Sequence, residues 1–158
     1  MSRENVELVR ALLPSRDTDL VGLFRDEATA TALAEAVAPL FSEDFEAVVQ
    51  DWAPGQQVRY AGLEGFRAAW LDWLAPLDSY RTEVEDLIDA GDEVVALVRD
   101  YGRRTGMGVE VSLVGASIWT VRDGKIAKTV FYPNRGDALE AAWLSEEDAH
   151  TDSSGLSE

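Results

Sequence analysis

Residues 93–104 read EVVALVRDYGRR, and the alternation in this run decides the fold. Its first half, VVALV, is plainly a hydrophobic strand. Its second half alternates Arg99, Asp100, Tyr101 and Gly102. Successive side chains of a strand point to opposite faces, so Arg99 and Asp100 cannot share one. Periodicity leaves open which of the two points inward. Asp100 inward would put a carboxylate in a core or cavity; Arg99 inward would build a different site.

The neighbouring sequence is of the same kind. YRTEVEDLIDA (80–90) precedes the run, and VEVSLVGASIWTVR (109–122) and KIAKTVFYP (125–133) follow it. The separators are AGDE, TGMG and DGK, and Asp123-Gly124 supplies the two positive-φ positions of a tight hairpin. The glycine-rich GRRTGMG joins two strands and opens no helix, which argues against a phosphate-cradling loop. DALEAAWL (137–144) reads as a closing helix capped by Asp137, and residues 145–158 as an acidic, disordered tail.

Upstream the period changes to that of helices. Ser2 caps a helix over Arg3 to Leu13, stopped by Pro14. Asp17 caps a second helix with Leu20, Leu23 and Phe24, and a third runs from about Thr29 to Phe41. FEAVVQDW (45–52) is a strand broken by Pro54 and Gly55. Gly62 then opens a helix whose Phe66, Trp70, Trp73 and Leu77 form one apolar stripe, read as core packing. Helices segregated from a run of antiparallel strands give an α+β architecture.

The 158 residues suffice for one domain with a core. A net charge of −16 argues against nucleic acid and anionic membrane as partners. The N-terminus MSRENVELVR has no apolar segment of a secretory signal, and the location expected is cytoplasmic. There is no cysteine, and the single histidine, His150, lies in the tail. A Ser-His-Asp triad and Cys- or His-ligated metal sites are therefore not expected, and neither is a metal or other cofactor.

Five segments occur in a telling order: ENVELVRAL, YAGLEGFRAAWLDW, AGDEVVALVR, WTVRDGKI and ALEAAWL. Together they resemble the SnoaL-like branch of the nuclear transport factor 2-like superfamily over residues 2–144. The resemblance implies one domain over 1–144: a cone-shaped, curved antiparallel sheet with N-terminal and central helices on its concave face, a cystatin-like α+β barrel. It also resolves the parity. Val94, Ala96, Val98, Asp100 and Gly102 would face inward, as would Val111, Leu113, Gly115, Ser117, Trp119 and Val121 of the next strand. Ala127, Thr129, Phe131 and Pro133 would do so on the last. Val95, Leu97, Arg99, Tyr101 and Arg103 would lie on the convex face. Arg99, Tyr101 and Arg103, beside Ser112, Val114 and Ile118 of the next strand, would form a homodimer interface.

The cup so implied suits an apolar or aromatic small molecule. Its walls would be Trp52, Phe66, Trp70, Val98, Trp119 and Phe131, and its polar groups Asp51, Tyr60, Asp100, Ser117 and Thr129. A carboxylate among aromatics loses hydration, which suits Asp100 to general acid–base work. Asp51 resembles the position of the catalytic base in ketosteroid isomerases. The family's catalytic sets are nonetheless incomplete here. Where ketosteroid isomerases carry a helical tyrosine the chain has Arg10, Ala11 and Leu12, and where they carry a protonated acid it has Ser117. Thr129 and Phe131 replace the acidic and histidine residues of SnoaL-type cyclases. Arg99 lies on the wrong face for the Asp-Arg-Asp set of epoxide hydrolases. Three readings stand: a binding cup, an isomerase, cyclase or dehydratase using Asp100 with Asp51, and a structural dimer whose cone fills itself.

Overall fold

The apolar runs of the C-terminal half form consecutive strands β3 (Leu77–Ala90), β4 (Glu93–Arg104), β5 (Glu110–Arg122) and β6 (Lys125–Tyr132). They are seen in a computed structural model that describes residues 2–50 and 56–149. Each pairs antiparallel with the next. Asp123 (φ 55°) and Gly124 (φ 76°) make the tight β5–β6 turn, a conformation that favours glycine at its second position.

Two strands come from the first half, β1 (Phe41–Gln50) and β2 (Gln57–Ala61). The sheet order is β2-β1-β6-β5-β4-β3. β1 runs parallel to β6, so the sheet is mixed, where an antiparallel one is expected from the sequence. The intervening helix and hairpins supply the long connection that parallel neighbours need. β2 escapes a sequence reading because QVRYA is exposed apart from Tyr60 and has no apolar face to display. β1 starts at Phe41, ahead of position 45. Pro39 ends α3 (Glu27–Val37) in a 3-10 turn at Ala38–Leu40, so the third helix stops short of Phe41.

The remaining helices are α1 (Ser2–Leu12), α2 (Leu20–Arg25), α4 (Gly62–Leu74) and α5 (Arg135–Ala149). The α2 cap is Asp19, whose carboxylate accepts the Val21 N–H at 3.1 Å, and not Asp17. The α5 cap is Asn134, which accepts the Asp137 N–H at 3.1 Å, and not Asp137 itself. α5 also runs past position 144 to Ala149, because SEEDA is polar yet rich in helix formers. The rest of the acidic tail, including His150, lies outside the described residues.

Helices pack on both faces of the sheet, on the convex face only in part. On the concave side Val9 of α1 packs with Phe41, Phe45, Val94, Ala96, Trp119, Val121 and Ile126. Ile126 is in this core beside the expected inward residue Ala127, because a register shift between Thr120 and Val121 inserts a residue into β6. At the rim Leu20, Val21 and Phe24 of α2 pack with Leu74 and Tyr80. On the convex side Ala138 and Ala142 of α5 cover Val95, Ala116 and Ile118. Ile118, assigned from the sequence to an open dimer surface, is therefore buried within its own chain. Val94 and Ala96 on one side and Val95 on the other settle the strand's parity, and Asp100 continues the concave series.

Candidate functional site

β3 and β4 place three polar side chains together. Thr82 stands opposite Asp100, and Tyr80 opposite Gly102, so all four residues share the concave face. The Tyr80 hydroxyl donates to Asp100 Oδ2 at 2.6 Å, and the Thr82 hydroxyl donates to Asp100 Oδ1. Both donors are buried. A Cβ at Gly102 would lie 3.1 Å from Tyr80 Cδ1, so glycine here leaves the tyrosine ring its space. Asp19 Oδ1 also accepts the Tyr80 N–H at 3.1 Å, tying the α2 cap to β3.

This register depends on one extra residue. From the turn outward β3 and β4 pair Ala90 with Glu93 and so on to Asp86 with Leu97; beyond that Val84 pairs with Val98. Glu85 is left over as a bulge. Without it Asp100 would face Glu83, and the Tyr80–Thr82 series would turn to the other side. Two arginines hold the Glu85 carboxylate: Arg99 Nε donates at 2.9 Å and Arg135 Nη2 at 2.6 Å. Arg135 also donates to the Val98 carbonyl at 2.6 Å and the Gly115 carbonyl at 3.1 Å, so one guanidinium spans β3, β4 and β5.

Burial pushes the Asp100 carboxyl above its ordinary range. The Thr82 and Tyr80 hydroxyls and the charge of Arg135 pull it partly back. Burial also raises the Tyr80 phenol, and the adjacent Asp100 charge and the hydrogen bond to it raise it further, so Tyr80 remains a proton donor at neutral pH. Asp100 is the group whose charge this site can change.

Around Asp100 opens a cavity of about 1160 Å³ between the sheet and helices α1 to α4. Of the residues singled out from the sequence, Tyr60, Phe66, Trp70, Val98, Ser117, Trp119 and Phe131 line it with Asp100. Tyr60 donates to Asp72 at 2.9 Å, and Ser117 accepts the Trp119 indole N–H at 2.8 Å. Thr129 is fully buried, its hydroxyl has no hydrogen-bond partner among the described residues, and it does not line the cavity. Asp51 and Trp52 lie outside the described residues. Sequence reading missed Phe24, Tyr80 and Thr82 on the wall; the Y-x-T and D-x-G pairs carry the signal, but matching them requires the bulge. Trp73, read as core, is 43% exposed on the cavity wall.

Among the described residues no group of three or more His, Asp or Glu is placed to hold a metal ion. No described helix is long and apolar enough to cross a membrane.

The architecture has known relatives. A candidate SnoaL-like polyketide cyclase from Jannaschia sp. CCS1 superposes with a TM-score of 0.60 at 20% identity, over 89% of this chain and 91% of that one. TerC, crystallised with polyporic acid, gives 0.53 at 19% identity, over 75% and 97%. An NTF2-like protein of unknown function from Mesorhizobium loti gives 0.51 at 23% identity, over 83% and 91%. At these identities the likeness is one of fold. No curated protein matches the sequence. The SnoaL-like domain profile, however, matches residues 21–129, most of the sheet and the helices that roof it, and the chain belongs to the SnoaL-like domain family.

Proposed function

We propose that this chain is a small-molecule-binding cup whose ligand is an apolar or aromatic compound with a polar group directed at Asp100. The observation that carries this reading is the cavity of about 1160 Å³, walled by Phe66, Trp70, Trp119 and Phe131, with one desolvated carboxylate on its sheet side. That volume is large for a drug-sized ligand and leaves room for several fused rings. It also counts against a cone filled by its own side chains. Calorimetric titration with fused-ring phenols tests the reading. Saturable one-to-one binding is expected in the wild type and should be lost in Val98→Trp, which fills the cavity. Absence of binding across ring sizes, or equal binding in the filled variant, overturns it.

A second reading is favoured by Asp100 itself. A carboxylate held above its ordinary range beside Tyr80 can remove a proton next to a carbonyl, with Tyr80 as a donor to the oxygen of the resulting enolate. Isomerase, cyclase and dehydratase chemistry all contain this step, and Asp51 is kept as the second carboxylate of this proposal. Exchange of α-protons of a polycyclic ketone in heavy water, followed by NMR, is the measurement. Exchange abolished in a folded Asp100→Asn protein establishes catalysis; no exchange in the wild type leaves a binding protein.

Homodimerisation belongs to the same proposal, through the part of the convex sheet that α5 leaves uncovered. Tyr101, Ser112 and Val114 remain there, Val114 being 42% exposed. Arg99 and Arg103 are occupied by Glu85 and Asp78 and would contribute as paired charges. A monomer mass in sedimentation velocity at micromolar concentration overturns this part.

A further inference from the structure

We propose that the occupant of this cavity carries a protonated amine, bound at Asp100 against aromatic faces; the inference rests on the cavity being a ligand site and narrows the class of its ligand.

The first argument is the charge of the wall. Among the described residues, its acidic members are Glu27, Glu35, Glu64, Asp72 and Asp100, and its one basic member is Arg67. The Arg67 Nε–H is engaged, donating to the Phe24 carbonyl at 2.9 Å. Glu27, Glu35, Glu64 and Asp72 are exposed, so a carboxylate or phosphate ligand would approach Asp100 past an acidic surface and meet a like charge there.

The second is the coordination of Asp100. Among the described residues its hydrogen-bond partners are two neutral hydroxyls, Tyr80 and Thr82, one on each oxygen. A carboxylate offers about four acceptor sites, so each oxygen keeps capacity for a further donor. Arg135, the cation nearest in effect, is bonded to Glu85 and to the Val98 and Gly115 carbonyls and does not enter the cavity. An ammonium would supply the missing charge and the missing donors at once.

The third is the surface around the carboxylate. Tyr80 meets the rings of Trp70 at 6.0 Å and Trp73 at 6.4 Å between centroids, and Phe24 stacks on Trp70 at 5.4 Å. Electron-rich faces beside a half-buried carboxylate stabilise a cation with an apolar body. They give no corresponding gain to an anion.

A charge series on one ring system tests this: 2-naphthylmethylamine, 2-naphthylmethanol and 2-naphthoate, titrated calorimetrically into the full chain. Salt at about 0.5 M screens non-specific attraction to the acidic surface. The amine should bind at least tenfold more tightly than the alcohol, and the carboxylate should give no heat. Asp100→Asn should remove the difference between amine and alcohol while alcohol binding persists, and Tyr80→Phe, which keeps the ring, should preserve the order. Alcohol binding as tight as amine binding in the wild type overturns the amine proposal and leaves the ligand cavity standing, whether or not Asp100→Asn folds. If none of the three binds, the cavity reading falls and the amine with it.

Discussion

Glu85 and Asp100 lie on the same hairpin, and the protein treats them in opposite ways. Glu85 projects from the convex side into solvent, where the hydrogen bonds of Arg135 and Arg99 hold its carboxyl below the ordinary range. Asp100 lies on the concave side, where burial outweighs two hydroxyl donors and moves it up. The carboxyl chemistry is nearly the same; exposure and the charge of the partners differ. A carboxylate given two guanidiniums is held charged, and one given two neutral hydroxyls in a half-buried place takes up its proton more readily.

The strongest way to break this contrast is Arg135→Met. It removes the donor shared by Glu85, Val98 and Gly115, and a loss of about 3 kcal/mol is expected in urea unfolding. Asp100 should titrate still higher, since Arg135's charge now lowers it. Unchanged stability would mean that the bulge holds without its clamp. Gly102→Val attacks the other side: the new side chain displaces the Tyr80 ring, at a cost of roughly 1–3 kcal/mol with loss of the Tyr80–Asp100 bond. The Asp100 carboxyl resonance reports that loss directly.

Tyr80→Phe is milder, about 1 kcal/mol, and removes one of the two donors that lower Asp100, so its titration should move upward. The smallest effects are the pH slopes. Asp100 binds its proton more tightly folded than unfolded, so its contribution is fully present below the ordinary value of 3.8 and lost as pH rises through the folded value. Glu85 has the reverse sign: its contribution is present above the ordinary 4.5 and lost as pH falls through the lowered value. Urea midpoints across the acid-to-neutral range should therefore lose their decline toward neutral pH in Asp100→Asn and part of their acid decline in Glu85→Gln. Identical slopes in both variants would erase the distinction.

How much of this was legible in the sequence follows the same division. The parity of β4 came through because VVALV and the Asp123-Gly124 turn belong to a recognisable series of segments, and Val94 and Ala96 do face the core. The aromatic wall came through the resemblance, which placed Phe66, Trp70, Trp119 and Phe131 around the cup where they do line the cavity; spacing alone reads Phe66 and Trp70 as core. The companions of Asp100 were not. Counting back from the hairpin turn sets Asp100 against Glu83, and only the bulge at Glu85 brings Thr82 opposite it. A bulge leaves no mark in a local pattern, because what stabilises it, Arg135, lies fifty residues away. β2 and the parallel placement of β1 were hidden for a related reason: one has no apolar face, and the other is decided by a neighbour late in the chain.

That parallel pairing has a consequence for how the molecule is made. β1 and β6 join residues about eighty positions apart, while β3, β4 and β5 meet through short turns. Loop closure favours the hairpins first, so β1 is made before its partner and pairs only when β6 has followed. Phe131, which walls the cavity, arrives with that last strand. The three-stranded core bearing Asp100, Tyr80 and Thr82 can assemble beforehand, but the vessel around it closes only once β6 has followed.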